Sequence, residues 1–128
     1  MVHCDGTEAE DRCMAIARKH AMAFEGTVFL VSAMSGVGHV PSQELDSLEK
    51  KLKRFAEDLF KPHGIACKTQ VLLSNLSDGE TLVQFCEQKG IDEIVMPVKY
   101  RSKLGKLVFG STPQYVILEA PCVVITVK

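Results

Sequence analysis

No apolar run in this chain approaches the 18 residues that a membrane-spanning helix needs, and its opening, Met1-Val2-His3-Cys4-Asp5, lacks the layout of a signal peptide. A cytoplasmic protein is expected. One sign of charge does not dominate either: charged residues make up 24% of 128, and the net charge is −1. Neither nucleic acid nor an anionic membrane is therefore an expected partner. The five cysteines form no C-x-x-C pair and sit mostly in apolar runs, as reduced core thiols do. There is no P-loop, no cluster of metal ligands and no pair of carboxylates suited to acid–base work, so a metal site is not expected and an enzyme is the least favoured reading. Internal repeats and low-complexity tracts are missing too. The length suits one domain, 1–128, although a first strand as short as Met1 to Cys4 fits either a trimmed strand or a piece of a longer polypeptide.

What is present alternates. After the first strand, Thr7 and Glu10 form a capping-box pattern, and Cys13, Ile16, Ala17, Ala21 and Phe24 recur at helical spacing up to Gly26. His20 shares that stripe and is given no role. Thr27 to Ala33 is mostly apolar with no period-2 alternation, and it reads as a strand buried on both faces, as parallel sheets require. Beyond the loop Ser35 to Pro41, Ser42 is placed to cap a helix whose apolar face is Leu45, Leu48, Leu52, Phe55, Ala56 and Leu59. Asp46 with Lys50 and Glu49 with Lys53 fall on its solvated side. Pro62-His63-Gly64 stops it. Ile65 to Leu73 reads as an edge strand, Ser77 and Glu80 as a second capping box, and Lys89-Gly90 as the end of the third helix. Ile91 to Met96 and Cys122 to Val127 are the last two strands, and a fourth helix lies between Pro113 and Ala120-Pro121. Strands separated by helices predict an α/β three-layer sandwich with a five-stranded parallel sheet and right-handed crossovers.

The stretch Met96 to Thr112 is the focus of the functional reading. It leaves a strand, crosses the basic positions Lys99, Arg101, Lys103 and Lys106, and enters a helix through Gly110-Ser111-Thr112-Pro113. In an open parallel sheet such a loop lies at the carboxyl ends of the strands, and a helix start offers free N–H groups to an anion.

Four pieces in this order and spacing, strand-Asp5-Gly6-Thr7, Ile91 to Met96, Gly110-Ser111, and Ala120-Pro121 with Cys122 to Val127, resemble the universal stress protein family over essentially the whole chain. The resemblance implies a Rossmann-like sheet of order 3-2-1-4-5 with four helices, similar to adenine nucleotide alpha hydrolases. It also implies an ATP or AMP site at the carboxyl ends of strands 1, 2 and 4. Asp5 would face the adenine from the first strand, and a residue at about Ala33 from the second. Gly110, Ser111 and Thr112 would hold the phosphates. Homodimers that pair along the last strand are implied as well, and Val123, Val124, Ile125 and Val127 make that edge too apolar to leave bare.

One departure stands out. Family members that bind ATP carry Gly-x2-Gly-x9-Gly-Ser/Thr, and counting back from Gly110 the earlier glycines fall on Pro97 and Tyr100. Proline lacks an N–H and tyrosine adds a ring where phosphates come close, so weak triphosphate binding is expected. Lys99, Arg101, Lys103 and Lys106 either replace the lost contacts with side-chain charge or simply solvate the loop. Asp5 likewise either meets adenine or helps to cap the first helix. Three functions follow in order of preference: a non-enzymatic regulatory domain with a degenerate nucleotide site, a dimerisation or signalling module that has lost the nucleotide and acts through an unknown protein partner, and a nucleotide hydrolase.

Overall fold

The computed structural model describes residues 1–99 and 110–128. Tyr100 and Arg101, with Lys103 and Lys106, lie outside the described residues. The strands β1 (Val2–His3), β2 (Val28–Ser35), β3 (Cys67–Ser74), β4 (Glu93–Pro97) and β5 (Val123–Val127) form one parallel sheet of order β3-β2-β1-β4-β5. Helices α1 (Glu10–Phe24), α2 (Ser42–Phe55), α3 (Asp78–Lys89) and α4 (Ser111–Glu119) make the crossovers. Two apolar clusters fill the space on either side of the sheet. Cys13, Met14 and Ala17 of α1 and Leu52 of α2 meet Val2, Leu30 and Val95 on one side. On the other, Leu82 and Phe85 of α3 and Val116 of α4 meet Val31, Ile94 and Met96.

Alternation along β1 then decides the site. Val2 and Cys4 point into the α1 and α2 cluster, and Met1 into the other, so His3 is turned toward α3 and α4.

Several element ends differ from the sequence reading, each for a tertiary reason. The Thr7 and Glu10 capping box does not form: α1 starts at Glu10, behind Ala9, with no side-chain cap. Asp5 Oδ1 accepts the Thr7 N–H at 3.0 Å, while Gly6, at φ 80°, turns its own N–H to the Glu10 carboxylate. The left-handed residue that ends α1 is Glu25 (φ 52°), not Gly26, and both their N–H groups reach Ala21 O. Ser42 does not cap α2; it is the first helical residue, and the Pro41 carbonyl accepts from Glu44 and Leu45.

After Phe55 the chain makes a π turn (Ala56–Phe60) and a 3₁₀ turn (Lys61–His63) before Gly64 at φ 70°. The extra residue in the π turn swings Phe60 fully into the core, a position that helical spacing from Leu52 does not indicate. The Ser77 and Glu80 box forms as read, and Gly90 closes α3 at φ 59°. The five thiols are free, with Cys86 Sγ and Cys122 Sγ in contact at 3.4 Å.

Candidate functional site

At the carboxyl ends of β1, β2 and β4 the structure opens a cleft of about 520 Å³. This is the place where a doubly wound sheet splits its crossovers left and right. Asp5, Ala33, Pro97, Gly110, Ser111 and Thr112 all line it, as do His3, Asp78, Lys99 and Pro113. Lys99 thus stands at the cleft, whereas Arg101 and Tyr100 are not described.

One wall suits an anion. Gly110 precedes α4 with φ −62° and makes no side-chain cap, and the first intrahelical donor is Gln114, whose N–H reaches Gly110 O. Ser111 and Thr112 therefore present backbone N–H groups ahead of the helix, while Pro113 has none to give. Ser111 lies inside the helix and does not cap it. Among the described residues a Cβ at position 110 would meet nothing nearer than Pro113 Cδ at 3.7 Å, and the φ there is ordinary. The fold does not need glycine at that point, so the space it leaves belongs to the cleft.

Pro97 closes β4 and is almost fully buried. The ladder runs Val95 N–H to Met1 O, so residue 97 would next donate to His3 O, and proline cannot. Its missing N–H accordingly faces β1, not a ligand phosphate. A rung is lost between β1 and β4 directly beneath the cleft.

The opposite wall suits hydrogen-bond donors. Asp5 spends one carboxylate oxygen on Thr7 and is exposed at the rim. His3 is only 6% exposed, and its Nδ1 has no partner. Asp78, at the first turn of α3, has a buried Oδ1 that is also without a partner. Burial pushes the His3 pKa below the usual imidazole value; Asp5, Asp78 and Glu10 oppose that shift, and Lys99 adds to it. Because the folded pKa is the lower one, acid through the ordinary histidine range favours the unfolded chain, where the ring takes its proton.

Sequence reasoning missed both residues. A histidine in a four-residue strand and an aspartate inside a capping box each have an ordinary explanation, and only the topology shows that they meet.

A second cleft, of about 580 Å³, lies at the other end of the strands, where His20 Nδ1 and Glu93 Oε1 pair at 2.8 Å. His20 and Glu93 thus satisfy each other, and the Met1 ammonium donates to Glu93 O at 2.7 Å. Among the described residues no group of three or more His, Cys, Asp or Glu could hold a metal ion, and no helix is long and apolar enough to cross a membrane.

The model of the universal stress protein family matches residues 1–128. A protein of Thermus aquaticus, described as a universal stress protein in the QAH/OAS sulfhydrylase 3′ region, is 28% identical over 97% of this chain and 93% of its own. Among solved structures, a universal stress protein from Archaeoglobus fulgidus superimposes with a TM-score of 0.85 at 22% identity, covering 99% of this chain and 90% of that one. The Archaeoglobus fulgidus protein in complex with dAMP gives 0.82 at 20% identity, covering 99% and 94%. With its sheet order, its strand-end cleft and a family match from first residue to last, the chain belongs to the universal stress protein family.

Proposed function

We propose that the protein is a regulatory domain that binds an adenine nucleotide in the strand-end cleft, and that the further phosphates of ATP raise its affinity over AMP by less than tenfold. The observation that carries this reading is the polarity of the cleft. Free N–H groups of α4 and Lys99 favour a phosphate on one wall, while Asp5, Asp78 and His3 call for donors on the other. A nucleoside monophosphate has both ends. The related fold bound to dAMP supports the same class of ligand. Asp5, Ala33, Pro97, Gly110, Ser111 and Thr112 are the proposed contacts from the sequence, together with Tyr100 and Arg101, which lie outside the described residues.

Calorimetric titration at physiological salt tests the proposal. AMP binds the unmodified protein, and ATP gains less than tenfold over it, because Tyr100 stands where the family's loop has glycine. Gly110→Ala, whose Cβ meets no described atom nearer than Pro113 Cδ at 3.7 Å, narrows the approach to the α4 N-terminus and is expected to lower AMP affinity at least tenfold, with only the small fall in melting temperature that a poorer N-cap brings. ATP binding tenfold tighter than AMP would show that the loop cradles the further phosphates after all. Phosphate release above a no-protein control would make the protein an enzyme instead.

A second copy is the proposed partner. β5 pairs only with β4, and its Val123 is 60% exposed; on α4, Leu118 is 71% exposed. Two such edges pairing antiparallel across a two-fold axis would cover both residues. Light scattering at high micromolar concentration is expected to give a dimer for the wild type and a monomer for Val123→Lys. Val123 is the better probe than Ile125, which packs against the core. A wild type that stays monomeric removes the proposal.

A further inference from the structure

We infer that His3 and Asp78 are a ligand-reading pair on the cleft floor, which together engage a neutral hydrogen-bond donor of the nucleoside half, an exocyclic amine or a ribose hydroxyl. This rests on the nucleotide reading above. Native chains leave few buried polar atoms without partners, and each one asks for a reason. Among the described residues three side chains have such an atom, and His3 Nδ1 and Asp78 Oδ1 line the same cleft. The third, Thr7 Oγ1, lies outside it.

The fold needs neither group where it is. Ser77 accepts the Glu80 N–H and the Glu80 carboxylate accepts the Ser77 N–H, so the capping box that starts α3 forms without the Asp78 side chain. His3 occupies a strand position whose same-face neighbour, Met1, is simply apolar core. Both orphaned atoms become understandable once a ligand supplies the missing partners.

Their chemistry limits what that ligand brings. An ionised aspartate only accepts, so a phosphate oxygen is repelled and an N–H or O–H is required. A buried, neutral imidazole has one N–H and one lone pair, so His3 can donate to or accept from the atom beside that donor. The phosphate is then left to Ser111, Thr112 and Lys99. Ligand polarity therefore follows the cleft: nucleoside on the floor, phosphate at α4.

The experiment is titration of AMP, IMP and 2′-deoxy-AMP into the wild type, His3→Leu and Asp78→Asn, with melting curves of each protein without ligand. His3→Leu is expected to lower AMP affinity about tenfold, the worth of one buried hydrogen bond, while the ligand-free protein melts at the same temperature or higher because an orphaned polar atom has gone. A merely structural histidine would give the opposite melting result. Asp78→Asn keeps the shape but adds an amide donor, and it too weakens AMP about tenfold. The two sources of the donor separate on the analogues. If Asp78 reads the amine, Asp78→Asn leaves IMP unaffected; if it reads the 2′-hydroxyl, it leaves 2′-deoxy-AMP unaffected. Wild-type and Asp78→Asn proteins that bind AMP equally overturn the inference alone. A wild type that binds no nucleotide overturns the functional reading beneath it.

Discussion

Lys51→Met is expected to cost about 2–3 kcal/mol of stability, although Lys51 lies on the outer helix surface. Its Nζ sits 2.8 Å from Glu10 Oε2, and the Glu10 side chain is only 6% exposed. Removing the cation leaves a carboxylate that is cut off from water and supported only by the Gly6 N–H and the positive end of α1. The ammonium also lies 5.3 Å from the centre of the Phe55 ring, a contact that methionine partly keeps, so the loss is mostly electrostatic. Urea unfolding at pH 7 measures it. Adding Glu10→Leu to Lys51→Met recovers much of it. A single substitution that costs less than about 0.5 kcal/mol would place this pair among ordinary surface ion pairs.

Gly79→Ala is the other large effect, about 1–3 kcal/mol, and it reaches the cleft. A Cβ on Gly79 would stand 2.9 Å from Tyr115 Cβ and 3.2 Å from Cγ and Cδ1 of the same ring. The methyl group must push α3 away from α4. These are the helices whose first turns carry Asp78 on one side of the cleft and Ser111 and Thr112 on the other. Nucleotide affinity therefore falls together with stability. Tyr115→Ala relieves the two ring contacts but not the 2.9 Å contact to Cβ, so rescue is partial. Full rescue by Tyr115→Ala, or no loss in Gly79→Ala itself, would show that the two helices part freely.

Those effects depend on contacts between elements, and this is where the sequence stops being readable. The sheet could be read because parallel strands buried on both faces, such as Val28 to Val31 and Ile94 to Met96, are apolar without alternation, and because Gly64 and Gly90 mark stops that only a left-handed residue makes easily. The starts of α1 and α2 could not, although that of α3 could. Glu10 fits a capping box by spacing, but the structure engages it with Gly6 and Lys51, and Lys51 lies 41 residues away. Phe60 enters the core through a turn whose wider pitch has no sequence period. The cleft positions Asp5, Ala33, Pro97 and Gly110 to Thr112 follow from topology once strand order is known. His3 and Asp78 do not, because nothing in their neighbours tells that water is excluded from Nδ1 and Oδ1.

The two-residue length of β1 has a mechanical consequence. β2 and β3 are in register over eight pairs, Val28 with Cys67 through Ser35 with Ser74, and β4 and β5 over five, but the strand joining these flanks pairs at Val2 and His3 alone. Pro97 removes the next rung on the β4 side. The sheet is thus two stiff panels joined by a narrow seam, and the cleft lies across the seam, with Ala33 on one panel, Pro97 on the other and His3 between them. A nucleotide seated there acts as a rivet. Its binding is expected to slow amide exchange at Cys4 and Val95, whose N–H groups bond across the seam to Val31 O and Met1 O, more than at residues inside either panel. Stiffening of this kind reaches β5 through the five-pair ladder, which gives the regulatory function proposed above a route by which the filling of the cleft is felt at the far edge of the sheet.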